Sequence, residues 1–224
     1  MWSRCPRPDC QYQFEAPAGS QIVNCPQCKK EARFRSLDLL GQIDRIYERR
    51  LQSQAVAGGP AGWPLQTACL SALVEDVRSL WNVGSIFRTA DGAGIGQLFL
   101  CGITGCPPRA EINKTSLGAE ESVSWRYYRN SLEVLPQLAE QGVQIVGLEL
   151  GRGSVALGQA LAEGKIRTPL CLVVGNEVCG LAAETASCCE LLCYLPMRGV
   201  KESLNVAVAF GAAAYLVTEH LPTG

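Results

Sequence analysis

Four cysteines near the start of the chain have a spacing that suits a metal. Cys5 and Cys10 enclose four residues, fourteen residues follow, and Cys25 and Cys28 enclose two. Two close thiolate pairs joined by a hairpin-sized segment can close a tetrahedron around Zn²⁺. Pro6, Pro8 and Pro26 favour the tight turns that such pairs require. With all four positions filled by protein ligands the site would be closed and structural, and the metal would supply folding energy that so short a segment cannot find in a core of its own. A pair of disulfides is the competing reading. The other eight cysteines (Cys69, Cys101, Cys106, Cys171, Cys179, Cys188, Cys189 and Cys193) argue against it, because most sit among apolar or small residues, where a free thiol behaves as a small hydrophobe. This usage points to a reducing, cytoplasmic compartment.

Three further segments place polar side chains where a strand meets a helix. In the first, Asn82 and Gly84 are followed by Arg88, with Asn82 expected as a helix N-cap and Arg88 as a cation that needs a partner or an anion. In the second, the apolar run Leu172-Val173-Val174 enters Gly175-Asn176-Glu177, and Gly175 is expected to let a ligand approach the backbone. In the third, Leu195-Pro196-Met197 leads through Gly199 to Ser203-Leu204-Asn205, with Ser203 and Asn205 at a helix start whose free N–H groups await an acceptor. A fourth glycine cluster, Gly92, Gly94 and Gly96, lacks the spacing and the preceding strand of a dinucleotide site, and is expected to close a helix instead. His220, the single histidine, is assigned no role.

The elements that must position these residues follow from periodicity. Apolar runs predict strands over 68–74, 97–101, 143–148, 170–174 and 191–195, and helices over 83–93, 132–141, 157–163 and 202–218. Their alternation predicts an α/β fold with a mainly parallel sheet. Before it, Leu37, Leu40, Ile43, Tyr47 and Leu51 recur at helical spacing behind Ser36, and Gly58-Gly59-Pro60 reads as a linker. The expected division is a cysteine-rich module at 1–35, a helix and linker at 36–64, and an α/β domain at 65–224.

Bulk properties narrow the function. Hydrophobic residues make up 47% and charged residues 18%, as in a globular chain with a substantial core. No apolar run reaches the roughly eighteen residues of a membrane span, and residues 1–10 lack the apolar core of a signal peptide. The net charge of −1 gives no global field for nucleic acid. Its distribution is uneven: residues 1–53 hold nine Lys or Arg against six Asp or Glu, and the remainder eleven against fifteen. Lys29, Lys30, Arg33 and Arg35 form a short basic run that could meet a phosphate backbone.

Taken together, Asn82-x-Gly84-x3-Arg88, Gly175-x-Glu177-x2-Gly180 and Pro196-Met197-x-Gly199-x3-Ser203-Leu204-Asn205-Val206 resemble the three motifs of the SpoU-type (TrmH) branch of the SPOUT RNA methyltransferases, over about residues 66–219. The cysteine module resembles a zinc ribbon. The resemblance implies a SPOUT α/β fold with a C-terminal trefoil knot, a homodimer whose active site combines both subunits, and S-adenosylmethionine as methyl donor. Gly175, Leu195, Met197, Ser203 and Leu204 would line the cofactor. Arg88, Asn82, Glu177, Ser203 and Asn205 would form the catalytic set, with Arg88 anchoring phosphate and stabilising a developing alkoxide, since a guanidinium is too weak an acid to serve as a base. The implied reaction is methylation of a ribose 2'-hydroxyl in tRNA or ribosomal RNA, with no DNA or membrane partner. A knotted RNA-binding protein without catalysis and a base-nitrogen methyltransferase are the alternatives. The family often carries serine where this chain has Ala207.

Overall fold

The structure, a computed structural model, describes residues 2–4, 10, 12–15, 22–29, 31–33, 69–151 and 153–221. Cys5, the helix expected behind Ser36, the linker and the boundary at 64/65 lie outside the described residues. Two short antiparallel hairpins occupy the N-terminal region: β1 (Trp2–Arg4) pairs with β2 (Gln13–Glu15), and β3 (Ile22–Asn24) with β4 (Glu31–Arg33).

From residue 70 the chain builds one seven-stranded parallel sheet. Its strands are β5 (Leu70–Glu75), β6 (Gln97–Cys101), β7 (Ser124–Tyr128), β8 (Gln144–Leu148), β9 (Val155–Ala156), β10 (Leu170–Val174) and β11 (Leu191–Tyr194), in the spatial order β7-β6-β5-β10-β8-β11-β9. Every neighbouring pair is parallel. The central strands are mostly apolar and buried because helices cover both faces, and the few polar residues in them, Ser71, Glu75 and Gln144, are buried too. In β10, Leu172 and Val174 join Val83, Phe87, Phe210 and Val217 in one core, while Cys171 and Val173 join Leu135, Leu138 and Phe99 in the other. The first core lies under α1 (Leu80–Gly92), α5 (Leu157–Ala162) and α7 (Val206–His220), and the second under α4 (Leu135–Glu140). Between them in sequence lie α2 (Ala110–Ser116), α3 (Ala119–Ser122) and α6 (Ala183–Cys188).

The helix ends depart from expectation in ways that bear on the site. Asn82 is not the N-cap of α1. Ser79 takes that place, its side chain accepting from the Asn82 N–H at 3.3 Å, and this leaves the Asn82 amide free for other partners. At the far end Ile95 N–H reaches Ala90 O at 2.8 Å and Gly94 N–H reaches Asp91 O at 3.2 Å, so the glycine cluster does close a helix. The segment expected as one helix over 132–141 divides at Val134 into a 3₁₀ turn (Ser131–Glu133) and α4, since Pro136 lacks the N–H that a continuous helix would need and fits a first turn. The last helix begins at Val206 rather than at 202, because the Asn205 side chain accepts from Ala207 and Val208 N–H at 2.9 and 3.3 Å and caps it there.

Candidate active site

The site is built at the carboxyl ends of β8, β10 and β11, where an open parallel sheet leaves a crevice. The loop after β10 folds back on itself. Asn176 and Gly180 exchange backbone hydrogen bonds at 3.0 and 2.9 Å, and the Asn176 side chain accepts from Val178 and Cys179 N–H while donating to Asp76 O at 2.9 Å. A Cβ on Gly175 would fall 2.4 Å from the Gly180 carbonyl. The Cβ direction at Gly175 is thus filled by the chain's own backbone. Gly180 turns through φ +66°, and the Glu149 carboxylate from the end of β8 lies where its side chain would be, accepting from Leu181 N–H at 2.8 Å. Behind this loop the buried carboxylate of Glu75 accepts from the hydroxyls of Ser131 and Thr185 at 3.0 and 2.6 Å and from Ala182 N–H at 2.9 Å, which ties the start of α6 to the end of β5.

A cleft opens between the loop after β8, the 175–181 loop, the end of β11 and the approach to α7. Gly175, Leu195, Ser203 and Leu204 line it, together with Glu149 and Tyr194. Met197, two residues beyond Leu195, is not part of the lining. Glu149, Asn176 and Tyr194 carry no motif of their own; their one signal is position, at or just past the carboxyl end of a strand.

At the rim, residues from the three segments join in one hydrogen-bonded chain. The Glu177 carboxylate accepts from Arg78 N–H, Ser79 N–H and the Asn82 amide nitrogen, each at 3.0 Å. The Asn82 amide oxygen accepts from the Asn205 amide nitrogen at 3.1 Å, and the Asn205 oxygen caps α7. Both amides are thereby oriented from outside. A carboxylate can only accept and a backbone N–H can only donate, so neither asparagine is free to turn over. Burial pushes the Glu177 carboxyl up, but the N–H groups of Arg78 and Ser79 and then the Asn82 amide outweigh it and hold it below the usual carboxylate range. So occupied, Glu177 orients Asn82 and is a poor proton acceptor.

Ser203 is exposed and faces the cleft. Arg88 does not join the chain. It stands six residues beyond Asn82 on α1, about 9 Å along the axis and on another face of the helix. It is exposed and makes no hydrogen bond or ion pair with another described residue. His220 is exposed in the last turn of α7, where its ring nitrogen meets Leu216 O at 2.8 Å.

In the N-terminal region the ligand atoms of Cys10, Cys25 and Cys28 all lie within 4.8 Å of one another, with Cys10 and Cys25 sulfurs 3.7 Å apart. The edge of a tetrahedron with Zn–S bonds of about 2.3 Å is about 3.8 Å. Against the upward push of burial, the N–H groups of Cys28 and Gln27 and the neighbouring thiols hold the Cys25 thiol down to about 7. Elsewhere the opposite holds. Burial pushes Cys171 up to about 12 and Cys193 to about 11. Cys69 departs from the expectation of apolar surroundings and is exposed.

Fold and rim chain together define an α/β protein with a ligand crevice at its strand ends, and the comparisons agree with that class. The SpoU rRNA Methylase family model matches residues 70–215, and the chain belongs to that family. It is 32% identical over 146 residues to the 23S rRNA (guanosine-2'-O-)-methyltransferase RlmB of Vibrio vulnificus, a match covering 65% of this chain and 57% of that protein. The chain thus spans a little over half the length of the curated relatives it matches. Among solved structures, the SpoU methyltransferase AviRb from Streptomyces viridochromogenes in complex with AdoMet superposes with a TM-score of 0.62 at 25% identity, covering 70% of this chain and 62% of that one. An rRNA methyltransferase from Sinorhizobium meliloti gives 0.60 at 29% identity, covering 70% and 57%.

Proposed function

We propose that this protein transfers the methyl group of S-adenosylmethionine to a ribose 2'-hydroxyl in RNA. The observation that carries the reading is the chain from Glu177 through Asn82 to Asn205, which draws the three motif segments together at the rim of one cleft. The names of the relatives favour ribosomal RNA over tRNA.

The cleft fits the cofactor. Leu195 and Leu204 offer apolar walls for a purine ring, and the acceptors Glu149 and Ser203, with backbone groups of the 175–181 loop, suit its hydroxyl and amino donors. When bound, the cofactor supplies a methyl group already activated on a sulfonium, so the residues need only align and desolvate the incoming oxygen. Asn82 and Asn205, their amides fixed before substrate arrives, are placed to hold the ribose at the cleft. The hydroxyl proton can pass to water as the oxygen attacks, so a Glu177 occupied by three donors is no obstacle. Arg88 anchors a phosphate of the RNA. Its second role, at a developing alkoxide, requires delivery from a second protomer, because within one chain it lies apart from the rim.

The homodimer that this requires is supported by α7, which turns Val208, Tyr215 and Leu216 to solvent. The trefoil knot is supported by the convergence of the loops after β8, β10 and β11 on one cleft. Cys10, Cys25 and Cys28 would hold a structural zinc ion, with Cys5 expected as the fourth ligand. Among the described residues no helix is long and apolar enough to cross a membrane, and we read the protein as cytoplasmic.

The test is incubation with methyl-labelled S-adenosylmethionine and total RNA, followed by nucleoside mass spectrometry. A 2'-O-methylnucleoside is expected. A methylated base nitrogen would replace this reaction with the base-directed one, and absence of both transfer and cofactor binding would leave a non-catalytic RNA-binding protein.

A further inference from the structure

Between the end of β5 and the start of α1, four successive N–H groups each have a defined acceptor. Asp76 N–H reaches Cys101 O at 3.1 Å and Val77 N–H reaches Thr104 Oγ1 at 3.1 Å, while Arg78 and Ser79 N–H meet the two oxygens of Glu177. The chain turns at Asp76, which takes φ +57°, a left-handed conformation that aspartate tolerates better than most side chains. Asp76 is fully buried. Its carboxylate accepts from Ile103 N–H at 2.9 Å and lies where a side chain on Gly102 would be. Its carbonyl accepts from the Asn176 amide at 2.9 Å, and the Asn176 oxygen accepts from Val178 and Cys179 N–H, directly after Glu177 in the chain. The two segments that meet at Glu177 are therefore joined a second time, at Asp76 and Asn176.

We propose that Asp76 is a positioning residue of the active site: its left-handed turn, its carboxylate on Ile103 and its carbonyl on Asn176 hold Arg78 and Ser79 N–H against Glu177, which in turn orients Asn82 and Asn205. The inference rests on the ribose-methylation reading and names what sets the rim chain. Glycine would make the same turn at no steric cost, so the turn alone does not call for an acid. What aspartate adds is the bond to Ile103, which closes the end of β5 onto the end of β6 where an unmet N–H would be costly. The effect reaches Glu177 through its donors. Against the upward push of burial, the N–H groups of Arg78 and Ser79 lead the influences that hold the Glu177 carboxyl down.

The test uses the full-length protein with Asp76→Gly, Asp76→Asn, Asn176→Ala and Glu177→Gln, and with Asp76→Gly placed also in the Glu177→Gln background. Asp76→Gly keeps the turn and loses the carboxylate, and methyl transfer to the ribose should slow about tenfold. In the Glu177→Gln background the same change should slow transfer by less than about twofold, because the residue through which Asp76 acts is already altered. Asp76→Asn keeps an oxygen acceptor and tolerates the turn, and should restore the rate to within about threefold of wild type. Carbon-13 NMR of the Glu177 carboxyl gives a readout independent of the reaction. It should titrate higher than in wild type in Asp76→Gly and in Asn176→Ala, which removes the bond from the other side, and as in wild type in Asp76→Asn. Equal slowing by Asp76→Gly in both backgrounds, or a Glu177 titration unmoved in both Asp76→Gly and Asn176→Ala, would overturn the assignment by showing that Asp76 serves the fold alone. Transfer as slow in Asp76→Asn as in Asp76→Gly would overturn it too, since the bond to Ile103 would not be what acts. If wild type transfers no methyl group to ribose, the reaction reading fails, while the Glu177 titration still decides whether Asp76 sets that carboxylate.

Discussion

Glu177 illustrates how a charged residue beside a reaction site can serve geometry instead of proton transfer. Its carboxylate accepts three N–H bonds and hands a fixed orientation to Asn82 and, through it, to Asn205. Glu177→Gln would turn an NH₂ group toward at least one of those donors. The expected cost is about 1–2 kcal/mol of stability in denaturant unfolding, together with slowed methyl transfer. The pH dependence has a definite sign. The folded carboxyl titrates below its ordinary range, so its stabilising contribution is complete above the unfolded value of about 4.3 and is lost as the pH falls through the folded one. Wild type should therefore lose more stability than Glu177→Gln on acidification through that window, as measured by urea unfolding; parallel losses would show that the three bonds do not favour the charged form. Residues of this kind are legible in sequence only as types. Glu177, Asn82 and Asn205 stand out because they follow glycine or apolar runs, but which of them caps a helix and which orients a neighbour depends on contacts between residues some hundred positions apart.

At the scale of elements, the central strands were the most legible part of the fold. β10 runs over five consecutive apolar residues, buried on both faces, and its observed limits equal those expected. The edge strands were not. β7 mixes serine and arginine with aromatics, and β9 has two residues, so neither carries a pattern distinct from a loop. The short helices α2, α3 and α6 escape for the same reason, having one or two turns each. Packing between α1 and α2 follows from a single position. Gly84→Ala would set a methyl 2.0 Å from Thr115 Oγ1 and 2.4 Å from Ile112 O, and the second of these is backbone and cannot rotate away. A loss of about 1–3 kcal/mol is expected in thermal or chemical unfolding. Unchanged stability would mean that α2 can shift as a unit.

The whole molecule comprises a parallel sheet with a crevice at its strand ends and a small cysteine module. Three thiols gathered within 4.8 Å in two hairpin loops predict one zinc per chain by native mass spectrometry. Zinc should be lost in Cys25→Ser, with increased proteolysis confined to residues 1–35. Disulfide-linked peptides from this region in a nonreducing digest would contradict it. The buried thiols of the sheet, Cys171 and Cys193 among them, should stay unalkylated in the folded protein while exposed Cys69 reacts. The sheet and its crevice could be read from alternating strands and helices. The separation of Arg88 from the rim chain could not, because a spacing of six residues fixes a position along a helix but not the copy of the protein it serves.

The most direct measurement is methyl transfer to RNA by wild type and Asn82→Ala side by side, with S-adenosylhomocysteine affinity determined for both. Asn82 joins Glu177 to Asn205 and does not line the cofactor cleft. Equal cofactor binding with transfer to the ribose slowed about 100-fold or more is the expected result. Transfer by Asn82→Ala at the wild-type rate, or transfer by wild type to a base instead of a ribose, would contradict the assignment of this chain of residues to the reaction.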